Sequence, residues 1–379
     1  MRHLVSLSRT ASFPWMAVLL VFGTVTTSTT PTNGNEPARK TAECTLREFS
    51  SPEFWVVNTR CAPRCSDLDA GFSRLTYQRW CPEQRCFINE TLESFLVAQG
   101  QLPTLLYVHG NSLNHENALE SAWKMYNRVK VCPGPKMLVL WSWPAEIIYK
   151  RPLIRPIQLA RKNIKAKYVY VEYQGYYLAK LVDMMSTELP LTLGGHSYGG
   201  ACCLVASHFL GGGTLNGLCY EGGSPTLRPN LRASLISPAL DNDHLYPGHR
   251  YQMAMYPLEK LHTTYNTNDA TLKRWPTHSF REQKAMGYTG ICTNRLGENA
   301  YKVCQQRLDA DVGRSHYIKE HLASLQMISA VCQTAFNSTP VPGAPGSSTG
   351  RSLAPGASNL DLRNVIEAPA QIVFPGLAL

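Results

Sequence analysis

From residue 102 onward the chain alternates short apolar runs with longer stretches whose apolar residues recur every three or four positions. Runs of the first kind suit strands buried on both faces, and stretches of the second kind suit amphipathic helices. Their alternation is the pattern of strands and helices wound into a mostly parallel sheet, with helices on both of its faces. Residues 102–109 (LPTLLYVH), 136–143 (KMLVLWSW), 189–194, 231–236 and 260–265 are the predicted strands. Helices are predicted over 115–130, through Leu119, Trp123, Tyr126 and Val129, and over 164–185, through Tyr173, Tyr176, Tyr177, Leu181 and Met184. That tyrosine-rich stripe reads as core rather than as a cofactor box. A further helix is predicted over 201–210, stopped by Gly211, Gly212 and Gly213, and a last one over 317–334, with Ile318, Leu322, Leu325, Ile328 and Val331 on one side.

The flanks read differently. Arg2, His3 and Arg9 precede an apolar run over 13–25, so residues 1–27 read as a secretory signal, or as an uncleaved anchor because no Ala-x-Ala site follows. A Thr/Pro/Asn/Gly-rich linker spans 28–43, and a Cys-rich extension packed on the core is expected over 44–101. Residues 337–379 turn to Pro, Gly, Ser and Ala and are expected to be a disordered tail. All 12 cysteines follow the leader, and their even number suits an oxidising compartment, so a secreted, periplasmic or cell-envelope location is expected. The crowding of Cys44, Cys61, Cys65, Cys81 and Cys86 predicts a disulfide-stapled lead-in. Zinc held by Cys61, Cys65, Cys81 and Cys86 is the rival reading, at spacings wider than zinc knuckles commonly use. Cys202 and Cys203 fall on a predicted helix, where at least one should pack as a small buried hydrophobe.

A hydrophobic content of 44% argues against a disordered or fibrous chain. The net charge of +10 becomes pointed only in the stretch 150–167, where Lys150, Arg151, Arg155, Arg161, Lys162, Lys165 and Lys167 occur without an acidic residue. This is either a solvated face or a rim that attracts an anionic substrate or an anionic membrane surface. No nucleic-acid partner is expected, and the sequence sets no oligomeric state.

The chemistry concentrates in Gly195-His196-Ser197-Tyr198-Gly199. A serine hydroxyl is a poor nucleophile at neutral pH and needs exposure, an adjacent base and donors for a developing oxyanion. A strand that turns sharply into a helix brings its flanking positions too close to neighbouring backbone for side chains, and glycine meets that demand while the turn presents the hydroxyl at the sheet's end.

Around this turn the segment 102–332 resembles the α/β-hydrolase superfamily in its serine esterase and lipase branch. The resemblance rests on Tyr107-Val108-His109-Gly110-Asn111, on the elbow itself, on Tyr265-Asn266-Thr267-Asn268-Asp269, and on Gly313-Arg314-Ser315-His316-Tyr317. These lie in the superfamily's order of serine, acid, histidine. The resemblance implies an α/β-hydrolase fold and an acyl-enzyme route to carboxylic-ester cleavage, with Ser197 as nucleophile and a small-molecule or lipid-like ester as substrate. It implies no metal or organic cofactor. The backbone N–H of Tyr198 would be one oxyanion donor, and Asn111 or Ser112 would give the other, because the HGGG form of some esterases is absent. Of 11 histidines, His316 is the expected base and His321 the alternative. Asp269 is the expected orienting acid, with Asp241 and Asp243 as competitors. The competing function is a hydrolase-like binding or scaffold protein of the cell envelope that performs no turnover.

Overall fold

The computed structural model describes residues 52–62, 67–149, 156–277 and 281–337. The expected signal, the linker, residues 338–379 of the expected tail, Cys44, Cys65, Lys150, Arg151 and Arg155 lie outside the described residues.

The strands are β1 (Glu53–Asn58), β2 (Thr76–Cys81), β3 (Cys86–Glu90), β4 (Thr104–Val108), β5 (Met137–Ser142), β6 (Leu191–His196), β7 (Thr214–Leu215), β8 (Leu218–Cys219), β9 (Leu231–Ile236), β10 (Lys260–Tyr265) and β11 (Val303–Arg307). The helices are α1 (Leu68–Phe72), α2 (Leu92–Gln99), α3 (His115–Val129), α4 (Pro156–Met184), α5 (Tyr198–Leu210), α6 (Met286–Thr289), α7 (Asp309–Val312), α8 (Ile318–His321) and α9 (Leu325–Phe336). Nine strands form one sheet in the order β11-β10-β9-β6-β4-β5-β1-β2-β3, and β7 pairs with β8 apart from it. From β11 to β1 every neighbouring pair is parallel, and β2 alone runs against the rest.

Every residue of β4, β5, β6 and β9 is buried, as expected of central parallel strands covered on both sides. The two faces separate by strand period. Leu106, Val108, Val139 and Trp141 join the core beneath α4 and α5, whereas Leu105, Tyr107, Leu138 and Leu140 join a second core with Met125 of α3 and Ile328 of α9. The fold is therefore mixed α/β, a mostly parallel sheet with helices on both faces. Among the described residues no helix is long and apolar enough to cross a membrane.

Three expectations change. The segment read as an extension packed on the core instead supplies β1, β2 and β3, and β1 pairs with β5 from Glu53↔Met137 to Asn58↔Ser142. The apolar core of β1, Phe54 to Val57, is fully buried and extends the sheet rather than covering it. The expected helix over 317–334 is broken at Ser324, whose Oγ accepts the Met327 N–H and starts α9 afresh. Finally, the lead-in carries no staple among its described cysteines: Cys61, Cys81 and Cys86 are free thiols. The disulfide found joins Cys132, just past α3, to Cys332 of α9, with Cα atoms 5.6 Å apart. Cys202 and Cys203 are both fully buried free thiols.

Candidate active site

Strands β4, β6, β9, β10 and β11 deliver their carboxyl ends to one edge of the sheet, where crevices form in open parallel sheets. At the end of β6 the chain turns straight into α5 through Ser197, at φ 55° and ψ −120°. A non-glycine residue seldom adopts such a positive φ, and the surroundings hold it there. The Ser197 N–H donates to Ile236 O (3.0 Å), and its carbonyl accepts from Gly200 N (3.0 Å) and Ala239 N (3.1 Å). A Cβ on Gly195 would lie 2.4 Å from the Gly199 carbonyl carbon, and one on Gly199 would lie 2.0 Å from Val108 O. Both elbow glycines are thus required by backbone packing.

Ser197 keeps 7% of its surface exposed. Its Oγ lies 2.9 Å from His316 Nε2, and His316 Nδ1 lies 2.6 Å from Asp269 Oδ2. The carboxylate fixes the tautomer: Nδ1–H donates to Asp269, which leaves Nε2 to accept the serine proton. Asp269 is fully buried, and its other oxygen accepts the Thr271 and Leu272 N–H groups at 2.8 Å each. The loop carrying His316 is held from two sides. Asn266 Nδ2 donates to Gly313 O (2.7 Å), Ala270 N donates to Arg314 O (3.1 Å), and His196 Nε2–H donates to His316 O (2.9 Å).

The competitors are engaged elsewhere. His321 is fully buried, with Nδ1–H on Tyr317 O (3.0 Å) and Nε2 accepting from Ser237 Oγ (2.7 Å). Asp241 accepts the Trp275 indole N–H (2.8 Å) and meets His244, while Asp243 pairs with Arg281 and His249. Asp241, Asp243 and His244 place one ligand atom each within 4.8 Å of one another, the one group among the described residues with the composition and spacing for a cation. The Trp275 and Arg281 contacts already answer its carboxylates.

Of the expected oxyanion donors, Ser112 N–H is committed to Ala145 O (2.9 Å). For the Tyr198 and Asn111 N–H groups no hydrogen bond to backbone outside the helices and strands is found among the described residues. Gly110 lies against the elbow, since its Cβ would meet His196 Nδ1 at 2.9 Å. His109 shapes this loop: its ring stacks on Trp143 at 5.6 Å, Nδ1–H donates to Gly110 O (2.8 Å), and Nε2 accepts the Trp143 N–H (3.2 Å). Burial pushes His109 down to about 3 and His196 well below its ordinary value, and burial also lowers His321. All three rings are neutral at pH 7.

Arg60, which sequence reasoning passed over, reaches the same loop from beyond β1. Nothing in its local sequence marks it, because its partners lie from about 50 to 86 residues away along the chain.

The molecule is a mixed α/β protein that carries a serine, an imidazole and a buried carboxylate in hydrogen-bonded series at the carboxyl edge of its sheet. No family model matches the chain, and no curated protein matches it. Among solved structures it is similar to the crystal structure of Zea mays acyl-protein thioesterase 2, at 16% identity over 61% of this chain and 91% of that one, with a TM-score of 0.33. A likeness at that level says nothing about activity.

Proposed function

We propose that this protein is a serine hydrolase that cleaves carboxylic esters through an acyl-enzyme. The observation that carries the reading is the unbroken series Ser197 Oγ, His316 Nε2, His316 Nδ1, Asp269 Oδ2, at 2.9 and 2.6 Å. Ser197 Oγ attacks the ester carbonyl carbon as His316 Nε2 takes its proton. Asp269 stabilises the imidazolium, and the oxyanion meets the Tyr198 and Asn111 N–H groups. Collapse breaks the bond to the leaving oxygen, which takes the proton from His316. Water then repeats the cycle on the acyl-enzyme, with His316 again as base.

An exposed aromatic beside the proposed machinery supports an ester with a hydrophobic portion: Tyr317, next to His316 in the chain, is 78% exposed. Arg161 and Lys162 are exposed on the first turns of α4, whose Ile164 carbonyl accepts the Tyr198 hydroxyl (3.0 Å), and they favour an anionic substrate or membrane surface near the opening. An exported location agrees with the basic, apolar leader. The test is labelling by a fluorophosphonate probe. Wild type is expected to label, and Ser197→Ala and His316→Ala are expected not to. Absence of label in a folded wild type refutes the hydrolase reading and favours the binding or scaffold alternative.

A further inference from the structure

The Asn111 donor sits on a loop between β4 and α3, and an oxyanion donor is useful only if its position is fixed before the reaction. Part of that fixing is local, through His109, Trp143 and the Ser112–Ala145 hydrogen bond. The remainder comes from β1, the neighbour of β5 and two strands away from β4. The end of β1 is pinned to β5 by Thr59, whose N–H donates to Ser142 O (3.0 Å) and whose Oγ1–H donates to Gln174 Oε1 (2.6 Å). The next residue is Arg60, whose side chain is 12% exposed.

Its guanidinium touches three separate segments. Nε–H donates to Ser142 Oγ (3.0 Å) at the end of β5, and Nη1 pairs with Glu146 on the strand's following loop. Nη2 reaches Leu113 O and His109 Nε2, at 3.4 Å each, on the two sides of Asn111. Ser142 Oγ also meets His115 Nδ1 (3.1 Å) at the start of α3. One planar fork therefore brackets the loop from 109 to 113 and ties it to the loop that accepts the Ser112 N–H. A lysine ammonium is a point charge and cannot span these partners at once.

We infer that Arg60 is a positioning residue for ester hydrolysis: it holds the Asn111 N–H where the oxyanion forms, without touching substrate. This rests on the hydrolase reading. It also gives the first strand a part in the chemistry, because β1 is the element that delivers the guanidinium to the opposite end of the loop.

The experiment compares wild type, Arg60→Lys and Glu146→Ala. Each is first checked for fluorophosphonate labelling at Ser197, then measured for kcat and KM on a simple ester and for the affinity of an alkyl boronic acid, whose tetrahedral serine adduct presents an oxygen to the same donors. Displacing a donor by a fraction of an ångström predicts kcat lower by about 10-fold in Arg60→Lys, with KM within twofold. Boronate affinity should weaken by the same factor, because it too depends on the donor. Glu146→Ala should lower kcat by about threefold through the loosened fork. Added methylguanidinium should restore part of the kcat of Arg60→Ala and none of Ser197→Ala. Unchanged kcat in folded Arg60→Lys overturns the role, as does a loss that merely follows the folded fraction while boronate affinity per folded site stays put. If Arg60→Lys does not fold, unchanged kcat in Glu146→Ala, a half-exposed position, overturns it alone. A wild type that does not label overturns the hydrolase reading itself, and with it the role of Arg60, whereas equal labelling and turnover in all three proteins removes only the role of Arg60.

Discussion

Gly199→Ala is the substitution that most directly tests the elbow. The added methyl would sit 2.0 Å from Val108 O, 2.6 Å from the Val108 carbonyl carbon and 2.8 Å from His109 O. All three are backbone atoms, so no side-chain rotation relieves the overlap. An ordinary carbon–oxygen contact needs more than an ångström of additional separation, and either α5 must lift or the end of β4 must retreat. Retreat strains the parallel ladder between β4 and β6, which is continuous from Thr104↔Leu191 to Val108↔Gly195. Forcing one carbon into packing this tight costs about 3 kcal/mol. Because β4 leads directly into the loop holding Asn111, a displacement near 1 Å also predicts turnover lower by about 100-fold. Gly100→Ala is the internal control: its φ is −63°, a Cβ there would meet nothing nearer than 3.5 Å, and the change should shift stability by less than about 1 kcal/mol. Urea denaturation followed by circular dichroism reads the first effect, and ester turnover per folded enzyme the second. Should Gly199→Ala prove as stable and as active as Gly100→Ala, the elbow is not packed as described.

His316→Ala should lower turnover by about 10⁴-fold and also cost stability, because it leaves one oxygen of the fully buried Asp269 carboxylate without its partner. His321→Ala should cost about 2–3 kcal/mol by leaving the buried Ser237 hydroxyl and Tyr317 carbonyl without their partner while turnover per folded enzyme stays within about 10-fold of wild type, and paired turnover and urea measurements separate the two. Stability should also fall as pH drops from about 6.5 toward 4. His109 and His262 are held by burial at about 3 and about 4, so in this window the unfolded chain binds protons that the folded chain refuses. Between the folded and unfolded values each buried ring then contributes a slope of up to about 1.4 kcal/mol per pH unit, so its stability is present in full above pH 6.5 and lost as the pH falls below it; equal urea midpoints at pH 7 and pH 5 would contradict this. Reducing the Cys132–Cys332 bond, which closes a loop of 200 residues, should lower stability by about 3–5 kcal/mol, and an unchanged urea midpoint with reductant counts against it.

Much of this architecture was written in local pattern. Strands β4 and β5 are continuous apolar runs of the kind a central sheet buries, and the elbow announces itself by glycines at the two places where backbone crosses backbone. What escaped was information carried by partners distant in sequence. β11 reads VCQQR, half polar, because it is an edge strand with one neighbour, β10. β1 is as apolar as any central strand, yet its neighbours in sequence are cysteines, and that crowding suggested a stapled appendage. α5 begins at Tyr198 rather than at the expected 201, since the helix starts directly from the nucleophile. Asp269 and Asp241 both follow buried strands, and no local feature separates them. The difference lies in their partners: Asp241 turns one oxygen to the Trp275 indole and the other to His244, whereas two backbone amides hold one oxygen of Asp269 and aim the other at His316.

The cluster of imidazoles around Ser197 has an electrostatic logic of its own. His196 lies 5.1 Å from His316 and 5.7 Å from His321, measured between ring centres, and such crowding is costly if more than one ring carries charge. Two imidazolium rings 5 Å apart repel by about 3 kcal/mol at an effective dielectric of 20. The proposed reaction requires His316 to become an imidazolium, so a charged His196 would raise that barrier by about the same amount, close to 100-fold in rate. Burial prevents this, since His196 and His321 lose more by desolvation than protonation returns, and each spends its remaining N–H on a carbonyl of the loop that carries His316 or starts α8. His316 differs in its partial exposure and in the carboxylate at Nδ1. Its neighbours thereby hold its backbone and stay neutral, an arrangement that a protonatable side chain of ordinary basicity at position 196 would undo.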